Sequence, residues 1–366
     1  MIKTRSTACQ PNYAIPPGET LRETLETIGM KQAELAERTG RPKKTINEII
    51  AGKAAITAET ALQLERVLGV PASFWNNLER NYRESLARLK EEEKLQKQIE
   101  WLRKFPLTIL ENMDWVPRED NPIKKLKALL SFFAVAGIEE WNRVWGAPQG
   151  VYRKSKAFQS HPEAIATWLR KGEIEAAQIS TQPYHSRSFH AALRQIRSLT
   201  DKPPEVFEPK MKEVCAQAGV AVVFVPEIHG THVYGVTRWL KSTKALIQMS
   251  LRGKTDDHLW FTFFHEAGHI LLHGKDQIFI ETSENGYKEL GRKEKEDDAD
   301  RFSQDFLIPP QEFQSFLDNC DFSLSAIRRF AKEIGIAPGI VVGRLQHDSL
   351  ISFNRGNALK KRLQFS

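Results

Sequence analysis

One segment in the second half of the chain constrains the fold more than any other. It reads Trp260-Phe-Thr-Phe-Phe-His265-Glu266-Ala-Gly-His269-Ile-Leu-Leu-His273-Gly274. The apolar residues 260–264 indicate a buried helix, and the four-residue spacing of His265 and His269 directs both imidazoles from one helix face to one point in space. Because two histidines on a buried helix need a binding partner, the segment predicts a metal site inside a folded core.

The pattern is H-E-x-x-H, in which the two histidines hold zinc and the glutamate is the general base. It predicts His265 and His269 as zinc ligands and Glu266 as the catalytic residue. A bare match can arise by chance in a chain with ten histidines, so a further ligand has to support it. One known arrangement places a third histidine six residues after the second, but this chain has Lys275 there.

An acidic segment further along the chain offers the third ligand. Glu296 and Asp300 lie four residues apart within residues 294–302 and therefore share one helical face. We expect Glu296 to complete the zinc site, with a water in the fourth position, and Asp300 to hydrogen-bond a ligand imidazole from outside. Glu294 and Asp297 are the alternative ligands. A solvated acidic helix without a metal is the alternative for the whole segment.

Three other histidines lie near these segments. His273 lies four residues after His269, but Gly274 ends the predicted helix there, and we expect His273 to be satisfied at the helix C-terminus. His229 and His232 stand in a loop, where exposed histidines are common, and a role in the active site is the alternative. The candidates for stabilising an oxyanion are His232, Tyr234 and Arg238.

The sequence around the motif predicts an α+β fold. Apolar, β-branched runs predict strands at residues 220–225, 233–240 and 245–250. A helix precedes the first strand, and a strong helix follows the third from about Asp256. Residues 107–200 are helical in pattern and rich in tryptophan, which we interpret as core.

These segments resemble the ImmA/IrrE family of metallopeptidases. The shared features are H-E-x-G-H-x-L-L-H from His265 to His273, E-x-x-A-D-x-F from Glu296 to Phe302, and an apolar run ending at Pro309. Ser303 stands where the family usually has alanine. The resemblance covers residues 203–348 and implies a gluzincin-like fold, zinc, and cleavage of repressor-type proteins. It also implies that residues 326–350 form a small helical subdomain, which we expect to pack on the catalytic site rather than to bind DNA.

The N-terminal part of the chain predicts a second kind of function. Residues 18–70 read as four short helices that end at glycines or proline. The second and third have the spacing of a helix-turn-helix, with the recognition helix beginning at Pro42. The predicted DNA contacts are Gln32, Lys43, Lys44, Thr45 and Asn47. Five basic residues and one acid between Arg38 and Lys53 supply the charge that phosphates need. An ordinary helical domain with a solvated basic face is the alternative.

Residues 16–90 resemble the Xre-type repressors, in particular the HigA/VapI antitoxins. The resemblance rests on Pro17-Gly18-Glu19-Thr-Leu-Arg, Gln32-Ala-Glu-Leu-Ala, Ile49-Ile-Ala-Gly52-Lys and Phe74-Trp75-Asn76-Asn-Leu-Glu-Arg-Asn-Tyr82. It implies a homodimer that binds its own double-stranded operator DNA and has a toxin partner. Lys43-Lys44 replaces the serine or threonine often found there, which leaves the operator sequence open.

A long helical pattern at residues 73–103 connects the two parts, either as a dimer interface or as a solvated linker. We therefore predict three regions in this multidomain chain. They are an all-α helix-turn-helix domain at residues 1–90, a helical connector at residues 91–202 and an α+β metallopeptidase domain at residues 203–366.

Composition supports this division and excludes other classes. A length of 366 residues predicts two or three domains, and 41% hydrophobic with 27% charged residues is ordinary for a soluble protein. A net charge of +7 permits contact with nucleic acid without requiring it. Three scattered cysteines predict no disulfide framework. There is no signal-peptide pattern and no apolar run long enough to span a bilayer, so we expect a cytoplasmic protein.

Together these features predict a DNA-binding regulator whose zinc endopeptidase domain cleaves a partner repressor or antitoxin. The alternative is a HigA-like antitoxin whose peptidase-like domain is a non-catalytic sensor or docking module. We expect the substrate to lie extended beside the strand at residues 247–250. The chain's own charged segment at residues 90–97 is a second candidate substrate.

Overall fold

The computed structural model describes residues 14–146, 162–229, 231, 233–250, 255–274, 279–282 and 290–363. The chain forms two compact units. The first comprises Met1–Leu102 and Glu119–Leu126, and the second comprises Arg103–Arg118 and Lys127–Ser366. The predicted connector at residues 91–202 is shared between both units, and His232 lies outside the described residues.

The first unit is built from helices. They are α1 (Pro17–Ile28), α2 (Gln32–Thr39), α3 (Lys43–Ile50), α4 (Ala58–Leu68) and α5 (Ala72–Gln96), followed by a 3-10 helix (Ile99–Lys104). Gly29, Gly40 and Gly69 end α1, α2 and α4 in the left-handed conformation that helix C-caps favour. Thr57 caps α4, as predicted, by accepting a hydrogen bond from Thr60 N at 3.2 Å.

A single apolar core holds these helices together. Its fully buried members include Leu21, Leu35, Ile46, Leu64 and Trp75. Gly18 of α1 packs directly on α3, because a Cβ there would come within 2.2 Å of Ile49 O.

Two helix boundaries in this unit differ from the sequence prediction. Pro42 is the N-cap of α3 rather than its first residue, and the long helix ends at Gln96 instead of continuing to residue 103.

The rest of the chain contains further helices and a small sheet. The helices are α6 (Leu107–Asn112), α7 (Pro122–Phe132), α8 (Ile138–Trp141), a π-helical turn (Asn142–Gly146), α9 (Pro162–Gln178), α10 (Ser186–Arg197), α11 (Pro204–Gln217), α12 (Asp256–Leu272), α13 (Leu290–Leu307), α14 (Pro310–Asp318), α15 (Leu324–Ile334), α16 (Pro338–His347) and a 3-10 helix (Asn357–Leu359). Of these, α9, α11 and α12 pack against the sheet. Within the part of the chain that the structure describes, no helix is long and apolar enough to cross a membrane.

The sheet has four strands in the order β1-β3-β2-β4. They are β1 (Val220–Phe224), β2 (Val233–Lys241), β3 (Lys244–Met249) and β4 (Phe279–Thr282). β1 runs parallel to β3, while β2 is antiparallel to both β3 and β4. The first three strands agree with the prediction to within a residue, and β4 was not predicted. The prediction of a multidomain chain with an all-α N-terminal part and an α+β C-terminal part is confirmed.

The strand order shows that the expected substrate position beside residues 247–250 is wrong. β3 lies between two neighbours, so that Ile247 pairs with Val222 on one side and with Thr237 on the other. Ser250 N, just beyond β3, donates to Tyr234 O at 2.8 Å. Both hydrogen-bonding edges of this strand are therefore used within the sheet, and a peptide cannot add to it.

The helix α12 is the centre of the second unit. It packs against β2 and β3 on one side and against α13 and α16 on others. Trp260, Phe263 and Phe264 are fully buried, as their apolar pattern predicts. The contact with α16 confirms that the segment at residues 326–350 packs on the motif helix. Since most of α16 is buried, it presents no free face for the major groove of DNA.

Candidate metal centre and nucleic-acid surface

Close packing of α12 on α13 brings their polar side chains together. Gly268 of α12 faces α13, and a Cβ there would lie 3.3 Å from Ala299 Cα. A larger residue would push the helices apart. Ser303, where the ImmA/IrrE pattern usually has alanine, donates a hydrogen bond to Phe261 O at 2.9 Å. These contacts fix the face of α13 that carries Glu296 against the motif helix.

His265, His269 and Glu296 converge on one point. Their ligand atoms all lie within 4.8 Å of one another, and all three residues are buried. The Nε2 atoms of the two histidines are 3.0 Å apart. Glu296 Oε2 lies 3.2 Å from His265 Nε2 and 3.4 Å from His269 Nε2. The structure thus assembles the three residues that the sequence predicted as ligands.

The spacing of these atoms fits a zinc ion. A Zn–N distance of about 2.0–2.1 Å and tetrahedral angles place neighbouring ligand atoms about 3.3 Å apart. The observed separations of 3.0, 3.2 and 3.4 Å lie around that value. Among the described residues, Glu296 Oε1 has no hydrogen-bond partner, so this buried carboxylate has a further lone pair to offer. Two imidazoles and a carboxylate are also the donor set of many catalytic zinc sites.

Each histidine has a different partner on its outer ring nitrogen. His265 Nδ1 hydrogen-bonds Asp300 Oδ1 at 2.8 Å, which is the contact expected from the sequence. His269 Nδ1 lies 3.0 Å from His273 Nδ1. His273 therefore does more than end the helix, because a partner on the outer nitrogen fixes the ring orientation of a ligand.

Burial and hydrogen bonding set the protonation of two of these groups. Burial lowers the pKa of His269 to about 4, which keeps its imidazole neutral. Burial alone would raise the pKa of Glu296, but hydrogen bonds with His265 and His269 lower it to about 2. A neutral imidazole and an ionised carboxylate are the forms that bind a metal.

Glu266 is buried between α12 and β2. Thr237 Oγ1 donates to the Glu266 carbonyl at 2.9 Å. Gly235 lies against the Glu266 side chain, and a Cβ there would come within 2.7 Å of Oε1. Sequence reasoning did not single out Gly235, although a glycine inside a strand often marks such a close approach.

Several other predicted residues lie away from this point. Arg238 is on the opposite face of the sheet, because successive strand residues point to opposite sides. Its guanidinium hydrogen-bonds Glu173 Oε1 at 3.1 Å and Leu169 O at 2.7 Å, both on α9. Arg238 is therefore not an oxyanion candidate. The alternative ligands and the described loop histidine are exposed: Glu294, Asp297 and His229.

The first unit presents a basic surface around α3. Exposed side chains of Lys43, Lys44, Asn47 and Lys53 line a shallow concavity there. Ile46 on the opposite side of α3 is fully buried, so the helix keeps one face in the core and one face outward. Gln32, the first residue of α2, and Thr45 are half-buried.

The neighbouring arginines are engaged within the same unit. Arg38 forms an ion pair with Glu34 at 2.8 Å, and Arg41 with Glu59 at 3.4 Å. Lys43, Lys44 and Lys53 are exposed, and Lys44 has a longer pair with Glu48 at 3.9 Å. An exposed, basic helix of this kind suits the major groove and its phosphates.

Two family models match the chain, one in each unit. The helix-turn-helix model matches residues 21–75, and the model described as an IrrE N-terminal-like domain matches residues 216–345. The second range contains α12, α13 and all three candidate ligands.

Individual relatives match the N-terminal part. Virulence-associated protein I of Dichelobacter nodosus is 41% identical over 70 residues, which are 19% of this chain and 65% of that protein. An HTH-type transcriptional regulator, YddM of Escherichia coli K12, is 32% identical over 63 residues, 17% of this chain and 67% of that protein. The chain thus spans about two thirds of the length of these relatives.

Solved structures match the same region. A HigA-family addiction module antidote protein from Coxiella burnetii is 35% identical and covers 23% of this chain and 92% of its own, with a TM-score of 0.22. Pseudomonas aeruginosa antitoxin HigA, solved with the higBA promoter, is 30% identical and covers 23% of this chain and 94% of its own, also with a TM-score of 0.22.

The two units define a DNA-binding regulator that carries a metallopeptidase-like domain. The N-terminal part of the chain belongs to the Xre-like helix-turn-helix regulators. The C-terminal part matches the IrrE N-terminal-like domain over residues 216–345.

Proposed function

We propose that this regulator is a zinc-dependent endopeptidase that cleaves a partner protein, either a repressor or an antitoxin. The observation that carries the proposal is the convergence of His265, His269 and Glu296 beside the buried Glu266. A purely structural metal site needs no general base, whereas a hydrolytic site does. The alternative, a sensor or docking module without turnover, gives no role to Glu266.

His265, His269 and Glu296 would hold the zinc ion. When bound, zinc supplies Lewis-acid chemistry that polarises the peptide carbonyl and favours attack by water. Asp300 and His273 hold the two imidazoles in the orientation that directs both Nε2 atoms inward.

Glu266 moves the proton in this proposal. Its carboxylate takes a proton from the attacking water and passes it to the nitrogen of the departing amine. Gly235 and Thr237 fix the position of Glu266, the first by close packing and the second by a hydrogen bond to its carbonyl. Burial strengthens the electrostatic effect of every charge in such a site.

The substrate main chain needs a free strand edge, and β3 does not provide one. Among the described strands, β4 is the neighbour of β2 on the edge away from β3. Because β2 carries Gly235 against Glu266, we propose that an extended substrate segment pairs with β4.

The N-terminal unit would place the peptidase on DNA. We propose that a homodimer binds a two-fold-symmetric operator through Gln32, Lys43, Lys44, Thr45 and Asn47, with half-sites about one helical turn apart. The relatives support this, since YddM, which is 32% identical over 63 residues, is an HTH-type transcriptional regulator. A toxin partner is a further proposal, from the resemblance of residues 16–90 to the HigA/VapI antitoxins. A repressor bound at the same operator would be presented to the peptidase at high effective concentration.

The test mixes the zinc-loaded wild-type protein or its Glu266→Gln variant with proteins encoded next to this gene, with and without operator DNA. The rate at which each partner protein is cleaved is measured. Glu266→Gln keeps the size of the side chain but removes the base, so we expect a loss of about 100-fold or more in cleavage rate. Glu294→Gln, which makes the same change at an exposed position of α13, is the matched control and should cleave normally. If wild type cuts none of these proteins, or Glu266→Gln cuts as well, the sensor interpretation replaces the peptidase.

A further inference from the structure

A large cavity lies beside the candidate metal centre, within the second unit. Its volume is about 450 Å³, which is in the range of ligand-binding pockets. Apolar side chains form much of its lining, with Phe261 from α12, Leu307 and Ile308 from the end of α13, and Ile340 from α16. None of these residues is a predicted metal ligand.

The cavity lies one helical turn away from Glu266 along the motif helix. Phe261 and Thr262 line it, and they precede His265 and Glu266 by one helical turn, a rise of about 6 Å. The rings of Phe261 and His265 are 6.1 Å apart. A Cβ on Gly235 would touch both Glu266 Oε1 at 2.7 Å and Thr262 Cγ2 at 2.9 Å, so these groups adjoin. A peptide with its cleaved bond at Glu266 would therefore place a neighbouring side chain at the cavity, since extended residues are spaced about 3.3 Å apart.

The outer wall of the cavity comes from the C-terminal segment, residues 351–363. Phe353 and Lys360 of this segment line the cavity. Gln346 anchors the segment: its buried amide donates to Phe353 O at 3.1 Å and Arg355 O at 2.9 Å, and accepts from Lys360 Nζ at 2.7 Å. The segment lies beyond residues 216–345, the range of the IrrE N-terminal-like match.

The chemistry of the lining favours an apolar occupant. Lys360 is paired with Asp257 at 2.6 Å, and Arg344 with Asp348 at 2.7 Å, so both cations on the wall already have acidic partners. A charged side chain entering here would have to disrupt these pairs or remain uncompensated. Tyr234 stacks on His258 with an interplanar angle of 7°, which adds a flat ring surface to the wall.

We propose that this cavity is a specificity pocket that receives one large apolar side chain, adjacent to the cleaved bond of the protein substrate, and that residues 351–363 form its selective wall. The inference rests on the proposed peptidase function. The proposal requires that the substrate has leucine, methionine or an aromatic residue at one position beside the cleaved bond.

The experiment uses the full-length zinc-loaded protein and a peptide mixture made by digesting cellular protein, with cut positions identified by mass spectrometry. Gln304→Phe narrows the pocket from a half-buried lining position, and Gln311→Phe is its control at an exposed position of α14. Phe353→Ala removes apolar surface from the wall at a residue that is 73% exposed and thus tolerant of change. Leu324→Ala, 40% exposed and outside the cavity, is the control for that loss.

We expect wild type and both controls to prefer a large apolar residue at one position beside the cut. In Gln304→Phe and Phe353→Ala, the preference for phenylalanine over alanine should fall by about tenfold or more. Thermal unfolding of each variant shows whether it is folded, and a change in Phe353→Ala alone is sufficient support. Cleavage by wild type without such a preference, or with a preference unchanged in both pocket variants, overturns the pocket but leaves the peptidase intact. Absence of any cleavage by wild type overturns both.

Discussion

Two acidic residues of α13 have different places at the His-His-Glu cluster. Glu296 is a candidate metal ligand, whereas Asp300 contacts the outer nitrogen of the candidate ligand His265. Removing a ligand should weaken a metal site more than removing an outer partner, which costs about 10–100-fold in affinity.

We therefore predict an order of zinc affinity for three single substitutions on α13. Glu296→Ala should lose most of its bound zinc, Asp300→Ala should bind about 10–100-fold more weakly, and the exposed control Glu294→Ala should bind as wild type. Metal analysis after dialysis against a competing chelator measures all three. Full zinc retention in Glu296→Ala would place the third ligand elsewhere.

Helical spacing in the sequence was enough to group the candidate metal ligands, but it did not identify the residues of the sheet that pack around the site. His265, His269 and Glu296 follow from four-residue periodicity within each helix, which is a local property. A glycine inside strand β2 signals a close approach at residue 235, but that Glu266 is the partner depends on how β2 packs across α12. The same holds for Arg238, whose side of the sheet depends on strand orientation.

At the scale of elements, the N-terminal end of α12 is tied to the C-terminal segment. Asp256 Oδ1 accepts hydrogen bonds from Lys361 N and Asp257 N, each at 3.0 Å. Burial raises the pKa of Asp256 from 3.8 to about 6, and the neighbouring Asp257 adds to the rise. The folded chain therefore keeps a proton that the unfolded chain releases as the pH rises above about 4. This contribution to stability is fully present below pH 3.8 and is lost as the pH passes through about 6.

We predict that Asp256→Asn removes this pH dependence. The amide can keep both hydrogen bonds at Oδ1 without a buried charge, so the variant should gain on the order of 2–3 kcal/mol relative to wild type between pH 4 and pH 7. Denaturant unfolding at several pH values measures the difference. Asp257→Asn is the contrasting control, because it removes the partner of the largely buried Lys360 and should destabilise the protein. If the stability difference between Asp256→Asn and wild type were the same at pH 4 and pH 7, the raised pKa of Asp256 would be contradicted.

Most helices and three strands could be predicted, because their periodicity and their glycine or proline ends are local signals. The missed strand, β4, has only four residues and too few alternations to be distinguished from a loop. The order of the strands in the sheet, in contrast, could not be predicted from local signals. The central position of β3 results from pairing with two distant segments, and the sequence of β3 is the same whether it lies in the middle or at an edge.

At the scale of the whole molecule, one chain combines an exposed basic helix in one unit with a buried His-His-Glu cluster in the other. The sequence predicted both kinds of site, since each has its own local pattern. It divided the chain into three regions, whereas contacts group it into two units, because α9 of the predicted connector packs on β1 and β3. Such long-range packing has no marker in the connector itself.

We predict that Lys43→Ala combined with Lys44→Ala abolishes specific operator binding. Loss of two phosphate contacts should also reduce the slope of log K against log salt concentration by about two. Binding of operator DNA across a salt series measures both effects. Lys90→Ala with Lys94→Ala removes the same charge from exposed positions of α5 and should leave the binding largely unchanged. Unchanged affinity in the first variant would remove α3 from the DNA interface.

The hydrogen bond between Asp256 and Lys361 has a consequence for the order in which the protein matures. Its two residues are 105 positions apart, and the adjacent bridge joins Thr255 to Arg362. On the ribosome, the N-terminal unit emerges and folds first. The start of the motif helix is secured only after the segment around residue 361 has been translated. A nascent chain that has not yet reached residue 361 therefore lacks both contacts that hold the start of the motif helix.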